Sequence, residues 1–64
     1  MKLYKYEGLI VQITLKSGQV FSGVAEDYTS ALDNTPPRES IFIRDNGMCF
    51  ELYANDIATI EEIK

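Results

Sequence analysis

A chain of 64 residues makes one domain with a small core, because a chain this short buries only about 60% of its unfolded surface and gains from oligomerisation. At 45% hydrophobic and 25% charged residues it is too apolar for a disordered tail and reads as a folded globular domain. Ten acidic against six basic side chains leave a net charge of −4, which excludes nucleic-acid binding driven by bulk charge, since the chain repels a phosphate backbone at long range.

Residues 1–7 mix Lys2 and Lys5 with Leu3, Tyr4 and Tyr6. An independent helix in water needs about 12 residues or more, so this segment is predicted to be an arm or a single turn. Its two tyrosines are expected to cap one end of the domain.

From Leu9 to Leu15 the odd positions are apolar and Gln12 and Thr14 are polar, the period-2 pattern of a half-buried strand, with Ile10 as the exception. A three-residue loop, Lys16-Ser17-Gly18, with Gly18 in the left-handed region pairs Leu15 with Gln19. Counting inward then sets Ile13 against Phe21, Val11 against Gly23 and Leu9 against Ala25. A two-residue loop would instead place Ile13 opposite Ser22 and break up the apolar face. Gly23 in mid-strand is costly unless a bend or a close backbone approach requires it. It therefore argues for a second strand that curls, and for a barrel over a flat sheet.

Residues 28–39 hold Thr29, Ser30, Asp33, Asn34, Thr35, Pro36 and Pro37, a density of turn formers that predicts a long loop of about a dozen residues with a functional role. Asp33-Asn34 suits an Asx-type turn within it. The next hairpin is the clearest in the chain, because Asn46-Gly47 fits a type I′ turn. Counting outward pairs Ile43 with Phe50 and Ile41 with Leu52 on an apolar face, and Arg44 with Cys49 and Phe42 with Glu51 on the other. Ala54-Asn55-Asp56 then reads as a one-turn connector before a short closing strand with Ile57, Ile60 and Ile63. The whole chain, 1–64, is one domain with no internal repeat.

These elements resemble the Sm/LSm proteins, an SH3-like barrel family. The segment Ile13-Thr14-Leu15-Lys16-Ser17-Gly18, followed by Phe21-Ser22-Gly23-Val24-Ala25 and Tyr28, is similar to the family's first motif, and Asp56-Ile57-Ala58-Thr59-Ile60 to the end of its second. The resemblance covers about residues 8 to 63 and is strongest to small LSm-like proteins of Gram-positive bacteria and their mobile elements. It implies an all-β fold, a small five-stranded, strongly bent antiparallel SH3-like or Sm-like barrel, and RNA binding through loop residues in a homo-oligomer. On that reading Tyr28, Asp33, Asn34 and Asn55 supply stacking and base-edge hydrogen bonds to single-stranded RNA. Asn55-Asp56 stands where Sm proteins carry Arg-Gly, exchanging a stacking, phosphate-pairing guanidinium for a carboxylate.

The remaining chemistry is sparse. With no His and no Ser in a nucleophile setting, acyl transfer and thiol chemistry lack their usual base, and an enzyme is not expected. No cofactor, metal or small-molecule substrate is expected either. Glu26, Asp27 and Asp33 read as solvated loop charges, and Cys49 as a small filler residue. A lone cysteine fits a reducing interior, and no apolar run approaches the roughly 20 residues of a membrane span, so a cytoplasmic, soluble protein is expected. The alternative function is a protein-protein assembly or adaptor module, pairing as a ring or dimer through strand edges, with Val20, Val24 and Phe42 off the core face as contacts.

Overall fold

The computed structural model describes residues 2–63. Five strands, β1 (Ile10–Leu15), β2 (Val20–Thr29), β3 (Ser40–Asp45), β4 (Met48–Tyr53) and β5 (Ile57–Glu62), form one antiparallel sheet in the order β4-β3-β2-β1-β5. The all-β, five-stranded reading holds. The sheet itself is open, with β4 and β5 as its edges. Only a three-residue 3₁₀ turn, Ala54–Asp56, carries the chain between those edges.

Both hairpins adopt the register that their turns dictate. Ile13 faces Phe21 and Val11 faces Gly23, while the Leu15 amide donates to Gln19 O across the Gly18 turn at 2.8 Å. In the second hairpin Ile43 meets Phe50, Ile41 meets Leu52 and Arg44 meets Cys49. Asn46 and Gly47 lie at φ 52 and 78, the paired left-handed geometry of a type I′ turn, which an Asn-Gly sequence adopts at low cost.

The bend sits in β2. Its first half pairs with β1 through Val20–Val24 and its second half with β3 through Val24–Thr29, with a bulge between Ala25 and Asp27. Such a bulge turns a strand and sharpens its twist. At Gly23 a Cβ would stand 1.8 Å from the Arg44 carbonyl oxygen. That atom belongs to the β3 backbone and cannot swing aside, so the close approach requires glycine.

One face of the bent sheet closes over Val11, Ile13, Phe21, Ala25, Ile41, Ile43, Leu52 and Ile57, all buried. The N-terminal segment contributes more than the expected cap. Leu3–Tyr6 is a 3₁₀ turn whose Leu3 is fully buried in this core, because the turn lies against β2 and β3. Tyr6 packs on the core, whereas Tyr4 is largely exposed. Gly8 and Leu9 continue the pairing to Ala25, and the Glu7 carboxylate accepts from the Tyr28 amide at 3.0 Å.

The predicted 28–39 loop is shorter than expected. Tyr28 and Thr29 belong to β2, where they pair with Ile41 and Ser40. The strand runs on because the Tyr28 ring packs against the core, a tertiary contact that local turn propensity does not report. Among the described residues no helix is long and apolar enough to cross a membrane.

Candidate binding surfaces

Two surfaces compete for a functional role. The first is the connection from Ser30 to Glu39 and the strand ends that hold it. Residues Ala31–Asp33 form a 3₁₀ turn, and the Ser30 hydroxyl donates to the Asp33 carboxylate at 3.1 Å. The Asn34 side-chain amide donates to Arg38 O at 2.6 Å and to Ser40 Oγ at 3.2 Å. Ser40, a fully buried polar residue, donates in turn to Glu51 Oε2 at 2.9 Å. Tyr53 donates to the other oxygen of that carboxylate at 3.1 Å, and the Arg38 guanidinium lies over the Tyr53 ring at 3.8 Å from its centroid. Arg38 Nε is buried without a hydrogen-bond partner, so the ring face is its compensation.

Tyr28 belongs to the same region. Its hydroxyl donates to the Glu39 carboxylate, and its ring meets Tyr4 edge-on at 6.1 Å. The Glu39 hydrogen bond, burial and then the charges of Glu39 and Tyr4 push the phenol up to about 12, since each favours the neutral form.

Of the four residues expected to contact RNA, the structure thus ties three into the protein itself. Tyr28, Asp33 and Asn34 all spend side-chain hydrogen bonds internally. Asn55 is exposed in the 54–56 turn. That turn is held to the connection by the Ala54 amide, which donates to Glu39 O at 2.9 Å. Sequence reasoning missed Ser40, Glu51, Tyr53 and Arg38 as members of this network. One further pair counted outward from the Asn46-Gly47 turn would have set Ser40 against Tyr53.

The second surface is the outer face of the sheet. Ile10 pairs with Val24, and the Ile63 amide donates to Ile10 O at 2.8 Å. The three aliphatic side chains therefore form one row across neighbouring strands, and they are exposed by 54%, 39% and 43% for Ile10, Val24 and Ile63. Val24 pairs next with Arg44, and Arg44 with Cys49. Arg44 is held by Glu26 at 2.9 Å, and that carboxylate, by hydrogen bond and charge, raises the guanidinium pKa further. Cys49 is exposed rather than a buried filler, because nothing covers the outer face of an edge strand there. Among the described residues no three acidic or cysteine side chains converge as a metal-holding group, and Glu26 and Asp33 have the partners named above.

The solved structure of YaeO from Vibrio cholerae O395, bound to magnesium, matches this chain with a TM-score of 0.73 and 30% sequence identity, over 89% of this chain and 70% of that one. The two proteins belong to one family. No protein-family model and no curated protein matches. The likeness to YaeO, over 89% of this chain, takes in most of the bent sheet.

Proposed function

We propose that this chain is a non-enzymatic intracellular protein-binding module of Sm-like build, which meets its partner through the outer face of the sheet. The observation that carries the reading is the exposed row of Ile63, Ile10 and Val24. Contiguous exposed apolar side chains mark a candidate interaction surface where singly scattered ones do not. Tyr28, Asp33 and Asn34, three of the four polar residues suited to bases, are by contrast already hydrogen-bonded within the chain, and the region carries the carboxylates of Glu7, Glu39 and Glu51.

RNA binding in an Sm-like homo-oligomer is the second reading. It is favoured by the Arg38–Tyr53 stack, by the exposed Tyr4 and by the unpaired edges β4 and β5. Titration of a labelled U-rich or A-rich oligonucleotide at low salt separates the two, with light scattering reporting the oligomeric state. A photo-reactive amino acid at position 10 is expected to cross-link a cellular protein, whereas the same group at position 55 is not. Tight oligonucleotide binding by a ring, with no cross-link at position 10, would replace the first reading by the second.

A further inference from the structure

We infer that the β4 edge pairs with β4 of a second copy of this chain about a two-fold axis, extending the sheet across a dimer. The inference is independent of the outer-row reading, because it concerns the edge of the sheet rather than its face. An edge strand presents unpaired N–H and C=O groups, and proteins ordinarily blunt such edges with charge, proline or a bulge. The two edges of this sheet differ in that respect. β5 pairs irregularly with β1, Thr14 meeting Thr59 but Leu15 meeting Ile57, and it ends in the exposed carboxylates Glu61 and Glu62. β4 carries no proline, lysine or arginine, and its ladder to β3 runs unbroken from Asp45–Met48 to Ser40–Tyr53. Its one carboxylate, Glu51, is held by Ser40 and Tyr53. β4 is therefore the unguarded edge.

The Asn46-Gly47 turn determines which of its backbone groups are free. In a two-residue type I′ hairpin the flanking pair, here Asp45–Met48, is hydrogen-bonded, and bonded and non-bonded pairs alternate from there. Arg44–Cys49 and Phe42–Glu51 are then non-bonded pairs, so the N–H and C=O groups of Cys49 and Glu51 point away from β3. An antiparallel second β4 must meet them with its own Cys49 and Glu51. Setting Cys49 against Glu51 of the second copy satisfies both residues at once. The two-fold axis then passes between the two Phe50 residues, and Met48 faces Leu52 of the second copy. No like charges are opposed in that register, whereas Glu51 against Glu51 would repel and Cys49 against Cys49 would draw the Gly47 turn into the pairing. Phe50 is half-buried against Phe21 and Met48 is 62% exposed. Pairing covers apolar surface that the single chain leaves in water, which matters most for a domain with so small a core. A strand from another protein would bond the same backbone groups but lacks this symmetric side-chain match.

The test uses the full chain, with sedimentation equilibrium over a concentration series and amide hydrogen exchange at its two ends. A monomer–dimer equilibrium is expected, in which the Cys49 and Glu51 amides exchange more slowly as the dimer forms while those of β5 do not change. Raising salt should strengthen the dimer, because each copy carries a net charge of −4. Met48→Lys sets a charge against Leu52 of the second copy at both symmetric positions and should weaken dimerisation about tenfold. Cys49→Pro removes an amide that points away from β3, so it should abolish the dimer and leave the β3–β4 ladder in place. A chain that stays monomeric at every concentration, with Cys49 and Glu51 exchanging freely, would overturn the inference. So would dimerisation that both variants leave undiminished, a dimer whose amide shifts centre on Ile10 and Val24, or a ring that protects β4 and β5 together. None of these results bears on the cross-link at position 10 except the dimer centred on Ile10 and Val24, which would give the outer row to a second copy.

Discussion

The Ser30–Glu39 connection and the outer row of the sheet make opposite use of their side chains. The connection and the end of β2 beside it hold the residues that chemistry would nominate for recognition, Tyr28, Asp33, Asn34 and Arg38, yet each is engaged by another side chain or carbonyl of the chain. The outer row holds only aliphatic groups, each exposed by 39% to 54%. Residue type alone would choose the first surface. Availability chooses the second, because a hydrogen-bond donor already satisfied must be released before it binds anything else.

The largest expected effect removes both surfaces together. Gly23→Ala places a methyl group into the β3 backbone at a point where the Cβ position is 1.8 Å from a carbonyl oxygen. We expect a loss of about 3 kcal/mol or more, at the upper end for overpacking. That is comparable with the whole stability of a small domain, at roughly 0.05–0.15 kcal/mol per residue. Urea unfolding followed by circular dichroism measures it, and a Gly23→Ala variant as stable as the parent would mean that β2 and β3 do not approach in this way.

Ser40→Ala attacks the connection selectively. It deletes the hydroxyl that joins Asn34 to Glu51 inside the protein and leaves those groups short of a partner, at a cost of about 1–3 kcal/mol. A neutral result in the same urea assay would show that the network is not a brace. On the other surface, Ile10→Thr is expected to stay within about 0.5 kcal/mol of the parent, since Ile10 is more than half exposed, at 54%. A large destabilisation would show that the outer row is structural after all.

The smallest effect is a titration. A phenol whose folded pKa is about 12 against an ordinary 10 contributes stability that is complete below pH 10, falls as pH rises from 10 to 12, and is gone above that window. Absorbance at 295 nm should show one tyrosine ionising after the others. Glu39→Gln should bring that tyrosine back toward 10, because the carboxylate is the first cause of the shift. A parent titration with no late tyrosine would remove the Tyr28–Glu39 bond from the account.

Strand pairing was readable in the sequence because it follows from local rules. Alternation over Leu9–Leu15, the Gly18 turn and Asn46-Gly47 together determine the registers observed, and Gly23 marks the bend. What escaped is tertiary. Leu3 reaches the core from a segment with no periodicity, and Tyr28 prolongs β2 by packing rather than by propensity. Nothing local announces that Ser40 bonds Glu51 eleven positions away. Ile10 stood out as a break in the alternation and Val24 as off the core face. Their union with Ile63 depends on pairing between β1 and the end of the chain, which no turn encodes. Tyr28, Asp33, Asn34 and Asn55 were nominated by residue type, and sequence does not show that the first three are already engaged.

The central claim, that the outer row binds and the braced connection does not, is tested most directly by mapping amide shifts in the intact ¹⁵N-labelled chain. Two ligands are needed, an amphipathic helical peptide and a U-rich oligonucleotide at low salt. Peptide-induced shifts are expected to centre on Ile10, Val24 and Ile63, with Tyr28, Asn34 and Asn55 unmoved by either ligand. Oligonucleotide-induced shifts at Tyr28, Asn34 and Asn55, with a silent outer row, would contradict it.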